Sequence, residues 1–321
     1  MANRVQRTEL GVDVAKDELV IYRSDCDSLT RIPNTKPQIK AWLKSLPAQA
    51  AIALEPTNAY HYEVTELAHA AGFDVFVIDG YRLNNYRKGI GQRAKTDPCD
   101  ARLLARYLKN EGDELRPWSP PPPAYRKLQS LLRRRAVVVK SLQCMQLSLD
   151  GEPALKAELA QIKRQLGLAL RSMEKKIHEA LREANLLSHA KRIQAIEGIG
   201  PLTAAGLIMA FIRGDFTSSD AFIAFLGLDL RVSDSGRKQG QRCLSKRGCG
   251  EIRRLLHNAG MSASRTAQWK GFYEHHRARG LATTQVLVML ARKLARVAFA
   301  LMKGGTEYQA VTRSYGATVS A

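Results

Sequence analysis

No stretch of this 321-residue chain is both long and apolar enough to read as a membrane span. The most apolar runs, Pro201 to Ile212 and Val286 to Met302, are too short or are broken by Arg292, Lys293 and Arg296. The opening residues, Met1 to Arg7, hold no apolar core of signal-peptide length, so a cytoplasmic location is expected. Cysteine is equally sparse. Cys26, Cys99, Cys144, Cys243 and Cys249 are odd in number and include no CxxC pair, which argues against a disulfide framework and against a zinc module. Negative charge is the other scarcity: 30 Asp and Glu stand against 50 Lys and Arg, a formal net charge of +20. Such a balance favours a polyanionic partner, nucleic acid above all, and with it association with the bacterial nucleoid. An anionic membrane surface would instead want a basic amphipathic helix with aromatic anchors, which is missing.

What is present divides into parts. From Thr8 to about Leu115, short apolar runs alternate with amphipathic stretches: Leu10 to Tyr22 around a turn, an extended piece at Leu29 to Pro33, a helix over Pro37 to Leu46, and a strand over Ala50 to Leu54. A helix from Tyr60 to Ala71, the strand Val75 to Ile78, a basic loop and a further helix follow, and the alternation predicts a three-layer α/β domain. Pro117 to Pro123 reads as a semi-rigid spacer. Two long helices come next, Tyr125 to Leu149 and one carrying Leu155, Leu159, Ile162, Leu166, Leu170, Met173, Ile177 and Leu181. These predict an antiparallel hairpin or an oligomerising coiled coil. The divisions expected are 1–116, 117–187, a mainly helical 188–305, and a flexible tail over 306–321.

Within the first part, Lys95-Thr96-Asp97-Pro98-Cys99-Asp100 places two carboxylates on one helix face. Like charges so close are costly without a cation between them, and a divalent metal is the usual occupant when further acids converge. Asp13, set among apolar residues on the first strand, and Glu55, at the end of a later strand before Pro56, are the candidates. Each acid also has an ordinary reading: Asp97 and Asp100 as helix-start residues, Asp13 as a turn-proximal acid, Glu55 as a solvated strand end. The order of the four resembles the RNase H-like nucleases of the RuvC type, which bind two Mg²⁺ ions for phosphoryl chemistry.

The cations concentrate beside these acids. Tyr81 to Lys140 holds 15 Lys and Arg against 5 Asp and Glu. Arg82, Arg87, Lys88, Arg93 and Lys95 interleave with tyrosines in a mixture suited to phosphate contact and base stacking, and Arg133, Arg134 and Arg135 continue it. Further on, Ile196-Glu197-Gly198-Ile199-Gly200-Pro201 matches a helix-hairpin-helix turn whose backbone N–H groups, at Gly198 and Gly200, would hold a phosphate; a plain helix turn fits as well. Arg231 to Arg254 is a Gly- and Ser-rich basic segment in which Arg242, Lys246 and Arg247 flank Ser245, a hydroxyl able to bind a phosphate or attack one. Ser233 and Ser235 are comparable candidates.

Five motifs together resemble the DEDD transposases of the insertion-sequence-110 family, relatives of the Piv-type DNA invertases. They are Gly11-Val12-Asp13-Val14-Ala15-Lys16, Leu54-Glu55-Pro56-Thr57, Lys95 to Arg102, Ile199 to Ala205, and Leu244-Ser245-Lys246-Arg247-Gly248. The resemblance runs from about Leu10 to Lys303. It implies that Asp13, Glu55, Asp97 and Asp100 are a Mg²⁺-binding tetrad and that Ser245 is a nucleophile forming a phosphoserine link to DNA. It also implies excision and insertion of a mobile element, a homo-oligomer (dimer or tetramer), and a structured element-encoded RNA that pairs with target and donor DNA. Pro56 and Asn58 depart from the Ala and Gly the family leads one to expect. With serine and tetrad in separate domains, they are expected to meet by folding back or across a subunit interface. Two rivals remain on sequence grounds: a metal-dependent, junction-resolvase-like nuclease that uses water and needs no Ser245, and a non-enzymatic nucleic-acid-binding protein whose acids are structural.

Overall fold

The computed structural model describes residues 7–232, 234, 240 and 242–310, and the chain divides into two compact units between Pro120 and Pro121. In the first, the turn at Ala15 to Asp17 folds β1 (Thr8–Val14) onto β2 (Glu18–Arg23), and a second turn brings β3 (Ser28–Pro33) alongside. After helix α1 (Lys36–Lys44), β4 (Ala50–Leu54) returns parallel to β1, with Leu10 opposite Ile52. Helix α2 (His61–Ala70) then leads to β5 (Asp74–Val77), parallel to β4. The sheet order is therefore β3-β2-β1-β4-β5. Every residue of β4 is buried, as a parallel strand covered on both faces requires.

The two faces are filled from alternate positions. Leu10, Val12, Val14, Ile52 and Leu54 pack with α1 and α2 on one side. Ala51, Ala53 and Phe76 face the other, against α3 (Gly80–Gly89) and α4 (Asp97–Glu111). Helix α3 occupies most of what the sequence reads as a basic loop. Its cause is local: the Asp79 carboxylate accepts from the N–H groups of Tyr81 and Arg82, an N-cap that starts a turn whose composition is poor in apolar spacing. Gly11 explains how close α4 comes to the sheet, since a Cβ there would lie 1.9 Å from the carbonyl oxygen of Ala101.

The proline stretch is less of a free spacer than its composition implies. Trp118 donates its N–H to the Val75 carbonyl at 2.6 Å and packs on the first unit's core, with His69 against the ring. Pro123 opens the next helix, where a missing N–H costs nothing.

The second unit begins with α5 (Pro123–Leu149) and α6 (Lys156–Glu183). Lys127 pairs with Glu183, and Arg135 with Glu174 at 2.7 Å, so the two helices run antiparallel as a hairpin within one chain. Helices α7 (Leu187–Gln194), α8 (Pro201–Phe211), α9 (Ser219–Phe225), α10 (Gly250–Ala263), α11 (Ala267–Ala278) and α12 (Thr283–Gly304) share one core, centred on Phe222, Leu256, Leu290 and Leu294. A two-residue ladder, β6 (Leu230–Arg231) with β7 (Cys243–Leu244), interrupts the helices and was not foreseen from sequence. Glu307 and Tyr308, expected in a flexible tail, are docked: the Tyr308 ring packs on the core and Glu307 pairs with Arg192 at 3.4 Å. Residues 311–321, the rest of that tail, fall outside the described residues, as do Ser233 and Ser235. Among the described residues no helix is long and apolar enough to cross a membrane.

Candidate functional site

Three elements of the first unit deliver the four acids to one end of the sheet. Asp13 comes from β1 on the face that α4 covers, Glu55 from the end of β4, and Asp97 and Asp100 from the first turn of α4. The Gly11 contact seats α4 so that its N-terminal turn lies near Asp13. Burial pushes the Asp13 carboxyl up from its ordinary 3.8 to about 6, and the charges of Asp97, Asp100 and Glu55 add to the rise. Glu55 is likewise raised, by burial first and by Asp100 second, against the lowering influence of Lys95 and Arg87. The acids therefore feel one another, as a shared cation site requires.

Hard carboxylate oxygens suit Mg²⁺ in kind. Their present arrangement is not a closed cage: among the described residues no group of three or more His, Cys, Asp or Glu side chains is gathered within ligating reach of one point. Arg87 supplies the reason for Asp100. Its guanidinium donates to Asp100 Oδ1 at 2.7 Å with both side chains nearly buried. Arg87, expected as a nucleic-acid contact, is thus an internal counter-ion, a role set by the helix that the basic loop turned out to be. Asn58 has φ +46, the left-handed region that glycine favours and asparagine tolerates.

The other expected nucleic-acid contacts separate by exposure. Arg82, Lys88, Arg93, Lys95, Arg133, Arg134, Arg242, Lys246 and Arg247 are exposed. Of these, Arg134 bonds the Ser130 hydroxyl, and Arg242 makes a bidentate pair with Asp234 at 2.7 and 2.9 Å. Arg135 is largely consumed by Glu174. Gly200 is exposed and Cβ-tolerant, whereas Gly198, at φ +94, abuts α10, where a Cβ would lie 2.6 Å from that of Ala263. Packing against α10, rather than ligand access, accounts for that glycine.

Ser245 follows β7 directly. Its N–H donates to the Asp229 carbonyl at 2.9 Å, its hydroxyl donates to the Asp229 carboxylate, and its Oγ accepts from the Arg247 N–H at 3.3 Å. Lys246 holds φ +57. The loop is braced by Arg253, whose Nη1 donates to the Gly248 carbonyl at 2.6 Å, and by Gly227, at φ +69, where a Cβ would meet the Gly248 nitrogen at 2.5 Å. Asp229 escaped the sequence reading. Its signal was there to find: Gly227-Leu228-Asp229-Leu230 repeats the pattern of Gly11-Val12-Asp13-Val14, an acid between apolar residues two places after a glycine.

Comparison with known proteins bears on both units. Residues 10–150 match the DEDD transposase domain of the IS110 family, and residues 190–274 match the transposase domain of the IS116/IS110/IS902 family. A pilin gene-inverting protein of Moraxella bovis is 24% identical over 93% of this chain and 97% of its own length. A probable family 20 transposase of Pseudomonas aeruginosa is 25% identical over 94% of this chain and 98% of its own.

Proposed function

The chain carries both transposase domains of the IS110 family and is a DNA recombinase-type enzyme, and we propose that it cuts and rejoins DNA strands through a transient phosphoserine link at Ser245. The substrate is the ends of a mobile element and their target, or an invertible segment of the kind named in the Moraxella relative. The observation that carries this reading is the convergence of Asp13, Glu55, Asp97 and Asp100 on one sheet end from three elements, with Asp13 and Glu55 raised by burial and then by neighbouring acids. The sheet order β3-β2-β1-β4-β5, antiparallel through β1 and parallel beyond it, supports an RNase H-like, RuvC-type assignment for the first unit.

In this reading Asp13, Glu55, Asp97 and Asp100 would hold Mg²⁺, two ions in the full site, which would supply Lewis-acid polarisation of a phosphate. The chain's own residues do the rest. Exposed Arg82, Lys88, Arg93 and Lys95 near the acids, and Arg242, Lys246 and Arg247 near the serine, bind the phosphate backbone and neutralise its charge. A structured guide RNA supplies sequence recognition; the net charge of +20 supports this, as does the lack of a recognisable base-reading motif in the sequence. Val137, Leu147 and Leu168 stay exposed on the α5–α6 hairpin and support a homo-oligomer.

The deciding experiment expresses the protein with its native flanking DNA, denatures the cells rapidly, and probes for protein-linked DNA. Wild type should give an adduct that Ser245→Ala abolishes and that Asp97→Ala reduces by about 100-fold or more. DNA cut equally by wild type and Ser245→Ala, with no adduct, would make water the nucleophile. Nuclease digestion of co-purified RNA should abolish recombination while leaving salt-dependent DNA binding in place.

A further inference from the structure

We infer that Asp229 is the proton acceptor for the Ser245 hydroxyl, so that the second unit holds a serine–aspartate pair of its own. The inference rests on reading Ser245 as the nucleophile. The pair is built by the short ladder: Leu230 lies opposite Leu244, which brings Asp229 and Ser245 side by side just beyond its end. Their backbones are joined by the Ser245 N–H to Asp229 carbonyl bond at 2.9 Å, and their side chains by the hydroxyl-to-carboxylate bond. On its other side Oγ accepts from the Arg247 N–H. One lone pair of the oxygen is thereby engaged, and the hydrogen has a carboxylate to point at.

Three features separate this pair from an ordinary turn contact. First, the backbone immediately after the serine is held in a costly state, Lys246 at φ +57, and backbone strain of this kind gathers where a side chain must be aimed. Second, the loop cannot relax easily. Gly227 and Gly248 meet backbone to backbone, with the Cβ of either blocked at 2.4–2.5 Å, and Arg253 ties the Gly248 carbonyl down. Third, both Ser245 and Asp229 are only part-buried, so a phosphate can reach the oxygen that the carboxylate has prepared. Arg292 of α12 is half-buried, held down by burial and by Arg296, and feels the opposing charge of Asp220 and then of Asp229; its Nε has no hydrogen-bond partner among the described residues.

The step balances without any further reagent. The Oγ–H bond of Ser245 breaks and its proton goes to the Asp229 carboxylate, while Oγ bonds to phosphorus. The bond from phosphorus to the leaving deoxyribose oxygen breaks with its electron pair. That oxygen takes a proton from water, and Asp229 returns its proton to solvent. The net result is one phosphoserine diester and one free sugar hydroxyl. Rejoining is the reverse, with Asp229 giving the proton back to Oγ as serine leaves.

The test is Asp229→Asn in the full chain on its native DNA, read by the rate of adduct formation. The amide keeps an oxygen to accept the hydroxyl but cannot take its proton, so the rate should fall about 100-fold or more while DNA affinity and thermal midpoint hold. An adduct rate within about threefold of wild type overturns the inference and returns Asp229 to a holding role. Should Asp229→Asn lose its cooperative thermal transition, Asp229→Ala with added formate decides: a rate that rises with formate supports a missing proton acceptor, and a flat response overturns it. The two readings fail separately. A wild-type chain that cuts DNA with no adduct removes Ser245 as nucleophile and the inference with it, whereas a wild-type adduct untouched by Asp229→Asn removes only the latter.

Discussion

The two units place their acids by the same local device and surround them with opposite electrostatics. In the first, Gly11 lets the backbone of α4 press against β1, and Asp13 two residues on meets the acids that α4 carries. In the second, Gly227 lets the backbone at Gly248 close in, and Asp229 two residues on meets Ser245. A glycine that admits a neighbouring backbone sets the distance in both cases. The difference lies in what arrives. Asp13, buried and facing like charge, is held well above its ordinary carboxylate range, while Asp229 receives a hydroxyl. The first arrangement stores repulsion that a cation would relieve; the second is already satisfied.

The most damaging way to break the comparison is Gly11→Ala. Its methyl would sit 1.9 Å from a backbone oxygen that no rotamer change can move, so α4 must leave the sheet. The loss should exceed the about 1–3 kcal/mol usual for overpacking, and thermal melting of the first unit is the readout. Gly227→Ala should be milder locally but carries a positive-φ cost of about 1–2 kcal/mol in addition to its contact. Next in size is Arg87→Ala, which leaves Asp100 buried and uncompensated at a cost of about 3 kcal/mol. Millimolar Mg²⁺ should recover part of that loss if the tetrad binds it, and none if it does not, as differential scanning calorimetry would show.

A smaller effect with the opposite sign is expected at Asp13. Folded Asp13 keeps its proton to about pH 6, whereas an ordinary aspartate releases it near 3.8. Between these values the folded chain binds more protons than the unfolded one, so stability should fall as pH rises through the window. Asp13→Asn should flatten that slope and raise the melting temperature near neutral pH by about 2–4 °C for each kcal/mol relieved. An unchanged slope would mean that the Asp13 carboxyl is not raised in the folded chain. Least affected should be Arg242→Ala, which breaks an exposed pair with Asp234 and should change stability by less than about 0.5 kcal/mol while weakening DNA binding in a salt-dependent way.

How much of this was legible follows from what each residue depends on. The strands of the first unit announce themselves through alternation and through Pro56, and the tetrad acids stand at element boundaries where short-range rules apply. Helix α3 was hidden because its composition is polar and basic, and one capping carboxylate, Asp79, decides it. Arg87 read as a surface cation because sequence shows charge but not the direction in which a helix turns it. The hairpin and the oligomeric coiled coil share one heptad pattern, and the Lys127–Glu183 and Arg135–Glu174 pairs, with Leu128, Leu132, Ile177 and Leu181 in one core, show a partner within the same chain. Asp229 was missed for a different reason. Its companion lies sixteen residues away across a ladder of two residues, too short to leave a periodicity.

The Arg87–Asp100 pair also bears on how the first unit folds. A site of four clustered acids would ordinarily leave a nascent chain dependent on divalent cations to settle. Here one acid already has its counter-charge, supplied by the helix that precedes its own in the sequence. Folding of the first unit thus has, at Asp100, a counter-charge that needs no divalent ion. In the proposed reading, an ion held at Asp100 would take the place of the Arg87 guanidinium, and α3, which carries Arg87, would be the part that yields.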